Sequence, residues 1–168
     1  LAYADICVEV APGRFLLDPR SFGKLVQLAE IQESDRVLDV GCATGYSAAV
    51  LCALSGDVVA LEEGEELAKF AAPILRSCSK LGRLDGVVGP LKAGAPGQVP
   101  FDVIFVNGAV EEIPKAWVEQ LKEGGRMVVI LNEGPVGKAH FCVKKAGALS
   151  RRFAFDATVP VLPGFERS

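Results

Sequence analysis

The residues best suited to chemistry are the run Asp39-Val40-Gly41-Cys42-Ala43-Thr44-Gly45-Tyr46, set between a short apolar stretch and an alanine-rich one. Glycine lets a backbone turn sharply and lets a ligand come close to it. A helix starting after such a loop presents its first, unpaired N–H groups to that ligand. A second acid, Glu62, ends another apolar stretch about twenty residues beyond the loop. From that position a carboxylate can accept hydrogen bonds from both hydroxyls of a ribose. The set is suited to holding a nucleoside. The plainer alternative is that Gly41 and Gly45 only make a tight turn and Glu62 is a solvated strand end.

Two nucleoside ligands compete for this pattern. A dinucleotide fingerprint, G-x-G-x-x-G, requires glycine at the third loop position and a small residue at the sixth. Ala43 and Tyr46 stand there, and a bulky ring opposes the close helix–strand packing that the motif needs. Asp39, two residues before Gly41, points the other way. An acid there can hold the amino group of S-adenosyl-L-methionine, a group that a dinucleotide lacks. The expected cofactor residues are therefore Asp39, Gly41, Cys42, Ala43, Gly45, Tyr46 and Glu62, with Glu63 and Asn107 beside them. Glu63, Glu65 and Glu66 also suit the positive end of a following helix. Asn107 reads equally as a polar contact at the cleft and as a strand-end turn former. Ser21 reads as an ordinary first-turn helix residue, Trp117 as packing, and His140 as a strand residue without a catalytic role. No catalytic residue and no metal ligand set is assigned.

The elements that must position these residues alternate in type. Residues 1–17 read as a loop and a short extended lead-in around Pro12-Gly13. Asp18-Pro19 is an N-cap followed by proline in the first turn, which predicts a helix over 19–31. Arg36–Val40 reads as a buried strand, Tyr46–Leu54 as a helix and Asp57–Glu62 as a second strand. Leu67, Phe70, Ala71, Ile74, Leu75 and Cys78 share one face of a helix over about 65–80, which Pro73 is expected to kink or split. A strand near Leu84–Val88, a loop over 89–100, and a strand Phe101–Val106 follow. A helix from Pro114 is expected to stop at Gly124-Gly125, before a strand over Arg126–Leu131. The tail offers an antiparallel pair over 138–143 and 152–159. Alternating strands and helices predict an α/β fold of the Rossmann-like class, a mostly parallel sheet covered on both faces. Its ligands bind at the carboxyl ends of the strands.

The length of 168 residues fits one domain, and half of the residues are hydrophobic. A net charge of −3 gives no basic surface for nucleic acid. No apolar run has membrane-spanning length. Five dispersed cysteines without a C-x-x-C suggest neither zinc nor disulfides. Thiols in a reducing cytoplasm are the simpler reading. Leu1 in place of an initiator Met suggests that an N-terminal segment precedes this numbering.

Val37–Ala49, Glu62, Phe101–Val106 and the run Glu112-Ile113-Pro114 through Leu121-Lys122-Glu123-Gly124-Gly125 resemble the protein-L-isoaspartate O-methyltransferase family. The similarity extends upstream through Asp18-Pro19 to Tyr3-Ala4-Asp5. The resemblance implies the class I methyltransferase fold and methyl transfer from S-adenosyl-L-methionine to a carboxylate of a damaged protein or peptide. Such an acceptor arrives ionised, so no strong general base is needed. Positioning and exclusion of water then supply the catalysis. Some residues depart from the family pattern. Ala43 stands where the family carries glycine, and Gly89-Pro90-Leu91 replaces Gly-Asp-Gly. Asn107-Gly108-Ala109 replaces a Thr-Ala-Ala-like run. Leu17 replaces a substrate-side serine. The expectation is a cofactor half that carries over and a substrate half that does not. A cofactor-binding homologue with a different acceptor or a sensor role stays open.

Overall fold

The computed structural model describes residues 5–167. Tyr3 and Ala4 of the upstream similarity lie outside them.

The chain begins with a hairpin, β1 (Val8–Ala11) and β2 (Arg14–Leu16), where sequence suggested only an extended lead-in. Pro12-Gly13 makes the turn, with Gly13 at φ +70°, a conformation glycine adopts without strain. The two strands pair only with each other and form a sheet of their own.

Asp18 caps α1 (Pro19–Ala29) by accepting a bond from the Ser21 amide at 2.8 Å, so Ser21 serves the helix start. The main sheet is built from β3 (Val37–Val40), β4 (Asp57–Glu62), β5 (Arg83–Val88), β6 (Phe101–Val110), β7 (Leu121–Leu131), β8 (Lys138–Lys145) and β9 (Ala148–Asp156). Its order is β5-β4-β3-β6-β7-β8-β9. The first five strands are parallel, and β8 and β9 return antiparallel. Helices α2 (Tyr46–Ser55), α3 (Glu65–Cys78) and α4 (Lys115–Gln120) complete the set.

Several boundaries differ from expectation. Pro73 does not split α3, and it lies on the exposed side of that helix. Helix α4 ends at Gln120 rather than at Gly124-Gly125, and β7 takes up both glycines. Strand β6 runs four residues past Val106, because Ala109 pairs with both Ile130 and Val161. The 89–100 loop contains two 3₁₀ turns, Leu91–Ala93 and Pro96–Gln98.

The central strands β3, β4 and β6 are buried on both faces, which is why they are nearly continuous in apolar residues, while the edge strands β5 and β9 are largely exposed. Val37, Val103, Phe105 and Val128 face Leu25, Ala29 and Leu51 from α1 and α2. Leu38, Val40, Ile104, Val106 and Met127 face Trp117 of α4 and Leu162 and Phe165 of the tail. Side-chain alternation therefore puts Asp39 on the α1–α2 face. The chain leaves β3 toward β4 on one side, while β6 lies on the other. The β3–β6 seam is thus the switch point, where doubly wound sheets take their ligands.

Candidate functional site

The loop leaves β3 at that switch point. Gly41 (φ +75°), Ala43 (φ +48°) and Gly45 (φ +92°) all adopt left-handed conformations. At Gly45 a side chain would press on Ala71 and Ile74 of α3, so the glycine allows that helix to approach. Ala43 takes the left-handed shape although it carries a Cβ, and its amide donates to Glu62 Oε2 at 2.8 Å.

Asp39 is fully buried. Its Oδ2 accepts from the Ser47 hydroxyl at 2.7 Å, and its Oδ1 accepts from the Asn107 side-chain amide. Register explains the meeting. Asp39 pairs with Phe105, so Asn107 lies two residues further along β6 on the same face. Ser47, in the first turn of α2, was not singled out from sequence; its signal was its place one turn past the glycine loop. Asn107 lies within β6 and also donates to the Val40 carbonyl at 3.3 Å, so it is more than a turn former. Burial pushes the Asp39 carboxyl up to about 7; the Ser47 and Asn107 bonds oppose this, and the Glu62 charge adds to it. Burial also raises the Cys42 thiol, with the Asp39 and Glu62 charges adding. Cys42 therefore stays protonated and is no nucleophile.

A cavity of about 260 Å³ opens over the loop and under the hairpin. Gly41, Cys42, Ala43, Tyr46, Ser47 and Asn107 form its floor. Its other wall is apolar: Ile6, Val8, Phe15, Leu16, Leu17 and Phe22. Tyr46 is over half exposed, with its ring 5.5 Å from that of Phe22. Leu17 thus faces the cavity, as the missing serine suggested, and carries no donor. Asp39 sits behind Ser47 and Asn107 and does not line the cavity.

Glu62 ends β4 beside the loop, only 1% exposed. It is not free. Arg14 of β2 grips it fork to fork, Nη1 on Oε1 and Nη2 on Oε2, the second contact at 2.8 Å. The Ala43 amide also donates to Oε2, and the Glu63 and Gly64 amides to Oε1 at 2.9 and 3.4 Å. A carboxylate offers about four lone-pair sites, so no acceptor remains for a ribose. The residue type fits an adenosyl ligand; the closed arrangement at Glu62 does not. Glu63 is exposed and contributes only its backbone amide. Arg14 was missed from sequence because nothing local distinguishes it within Pro12-Gly13-Arg14-Phe15.

The remaining residues lie elsewhere. Trp117 is fully buried and donates to the Leu91 carbonyl at 2.9 Å. His140 lies on β8 against Phe153, away from the cavity.

A mostly parallel sheet with its glycine loop at the switch point, followed by α2 and an acid-ended β4, is the class I methyltransferase fold. The family model for protein-L-isoaspartate(D-aspartate) O-methyltransferase matches residues 1–159. A protein-L-isoaspartate O-methyltransferase of Koribacter versatilis is 36% identical over 150 residues, covering 89% of this chain and 67% of the relative. One of Opitutus terrae is 37% identical over 139 residues, covering 83% and 57%. A solved protein-L-isoaspartate O-methyltransferase superposes with a TM-score of 0.84 at 27% identity, over 96% of this chain and 54% of that one. A Plasmodium falciparum structure of the same description, in complex with S-adenosyl-L-homocysteine, gives 0.77 at 20% identity, over 96% and 82%. This chain belongs to the protein-L-isoaspartate O-methyltransferase family. It spans 67%, 57% and 54% of the length of the first three of these proteins.

Proposed function

We propose that the chain is an S-adenosyl-L-methionine-dependent methyltransferase acting on a carboxylate of a protein or peptide. The observation that carries this is the glycine loop at the β3–β6 switch point, with Asp39 and Glu62 on either side and a cavity directly above it. Residues 1–168 are read as one such domain, in keeping with a single main sheet. No helix among the described residues is long and apolar enough to cross a membrane. We place the protein in the cytoplasm, where its five thiols remain unpaired.

When bound, the cofactor supplies an activated methyl group. The residues of the chain would do the rest. Gly41 would leave the loop backbone open to close approach once Arg14 withdraws, and Gly45 lets α3 pack against the loop. Asp39, bonded to Ser47 and Asn107, ties α2 and β6 to β3 behind the loop. Glu62 is the ribose acceptor once released from Arg14. Phe15, Leu16, Leu17 and Phe22 exclude water from the reacting centre.

A second reading is favoured by that same apolar wall: a cofactor-binding homologue whose acceptor is not isoaspartyl. Calorimetry with adenosylmethionine, adenosylhomocysteine and NAD tests the cofactor half. Binding of the first two but not of NAD is expected, and absence of adenosyl binding by the folded protein defeats the proposal.

A further inference from the structure

Three segments distant in sequence close over the carboxyl ends of β3 and β4. The first is the hairpin, which holds no strand of the main sheet and reaches down with Arg14. The second is the loop residue Gly41, where a Cβ would stand 3.1 Å from Arg14 Nη2. The third is the tail. Leu162 lies against both Gly41 and Gly108, and Pro163 abuts Gly13 at the hairpin tip. The tail is fastened to β6 by the Ala109 amide on the Pro160 carbonyl, 3.1 Å, and the Leu162 amide on the Ala109 carbonyl, 2.9 Å. The part of the crevice over Glu62 is therefore taken up by the chain's own residues, beside the open cavity.

Arg14 is 8% exposed, and its fork takes both oxygens of the acid that a ribose would need. Its Nε has no acceptor, the one such buried side-chain nitrogen or oxygen among the described residues. The closed arrangement thus leaves a buried donor unsatisfied, a cost that opening would relieve.

We propose that the β1–β2 hairpin is a latch, and that Arg14 and the ribose of an adenosyl ligand compete for the Glu62 carboxylate. The proposal rests on the cofactor reading above. The hairpin is a separate two-stranded sheet, so it can lift without breaking a ladder bond of the main sheet. Arginine holds a carboxylate bidentately, whereas lysine offers a point charge. Arg14→Met thus removes the competitor, and Arg14→Lys weakens it while keeping the charge.

The test is calorimetric titration of S-adenosyl-L-homocysteine into the unmodified chain, Arg14→Met and Arg14→Lys. Melting curves check folding, and amide exchange of residues 8–16 is followed with and without ligand. Loss of a charge-assisted competitor should tighten binding roughly ten- to a hundredfold in Arg14→Met, with Arg14→Lys between. Ligand should speed amide exchange in the hairpin of the unmodified chain. If Arg14→Met does not fold, tightening in Arg14→Lys supports the latch and no tightening overturns it. Equal or weaker binding by folded variants, with the unmodified chain still binding, overturns the latch and leaves the cofactor reading standing. No binding by any of the three overturns both.

Discussion

Asn107 and Asp39 lie 68 residues apart in sequence and are bonded side chain to side chain across the β3–β6 seam. Ser47 holds the other Asp39 oxygen. A buried carboxyl with two donors is still costly to ionise when no cation reaches it. Its pKa of about 7 is the result.

That pKa dictates a sign. An unfolded aspartate titrates near ~3.9, so between about pH 4 and 7 the folded chain keeps a proton that the unfolded chain has lost. Stability from this group falls as pH rises through that window, and the loss is complete above about 7. Asp39→Asn has no such proton. Denaturant unfolding at pH 5 and pH 8 should show the variant gaining on the parent by a few kcal/mol at the higher pH, since each pH unit crossed inside the window is worth roughly 1.4 kcal/mol. A difference that does not change with pH would mean that Asp39 ionises normally.

Glu62 and Glu63 should behave very differently on truncation. Glu62→Ala leaves Arg14 buried without its counterion, which typically costs about 3–5 kcal/mol. Glu63 is exposed and uses only its backbone amide, so Glu63→Ala should change stability by less than ~0.5 kcal/mol. Thermal melts of the two variants, with the parent as reference, check this. Similar melting temperatures would show that the Arg14–Glu62 pair is not formed in solution.

Ala43 holds φ +48° with a Cβ in place. A left-handed conformation costs an L-residue roughly 1–2 kcal/mol, and glycine escapes it. Part of that gain is lost to the greater freedom of glycine in the unfolded chain. Ala43→Gly should therefore stabilise by up to about 1 kcal/mol, read as a higher urea midpoint at unchanged slope. Destabilisation would mean that residue 43 relaxes to negative φ, which would move its amide from Glu62.

Much of this was legible in the residues, because each central strand carries its own signal. Arg36–Val40 and Asp57–Glu62 are short, apolar and bounded by turn formers, and both lie within a residue of the observed β3 and β4. The loop between them needed only its glycines. Lengths set by partners were not legible. The extra reach of β6 depends on its pairing with β7 and with the tail at Val161. The early end of α4 depends on Gln120, whose side chain accepts from the Ala95 amide and donates to the Ala93 carbonyl. Arg14 is the sharpest case. Its role comes from Glu62, 48 residues away, and Pro12-Gly13-Arg14-Phe15 carries no trace of that partner. The residue that decides whether Glu62 is available was therefore invisible until the chain was folded.

Leu17 is the place to test the acceptor. It lines the cavity with Ile6, Val8, Phe15, Leu16 and Phe22, and none of these side chains offers a hydrogen-bond donor. An isoaspartyl carboxylate would have to sit against this wall, and a carboxylate without donors is costly to bury. Ser47 and Asn107 reach the cavity floor, but both already donate to Asp39, and Tyr46, the other hydroxyl on that floor, lies across the cavity from Leu17 and is more than half exposed to competing water. Turnover of an isoaspartyl peptide at saturating cofactor should therefore be low. Leu17→Ser restores one donor, and a hydrogen bond to a charged group is worth roughly 1.5–3 kcal/mol. That corresponds to a rise in kcat/KM of about one to two decades if the bond is made in the transition state. A rise confined to KM would place the hydroxyl in ground-state binding only. Low turnover that Leu17→Ser leaves unchanged would point to an acceptor matched to the apolar wall. Turnover by the unmodified chain comparable with that of the Koribacter versatilis relative would sink the argument, because the donors would then have to come from the Tyr46 hydroxyl, from backbone amides or from Asn107 released from Asp39.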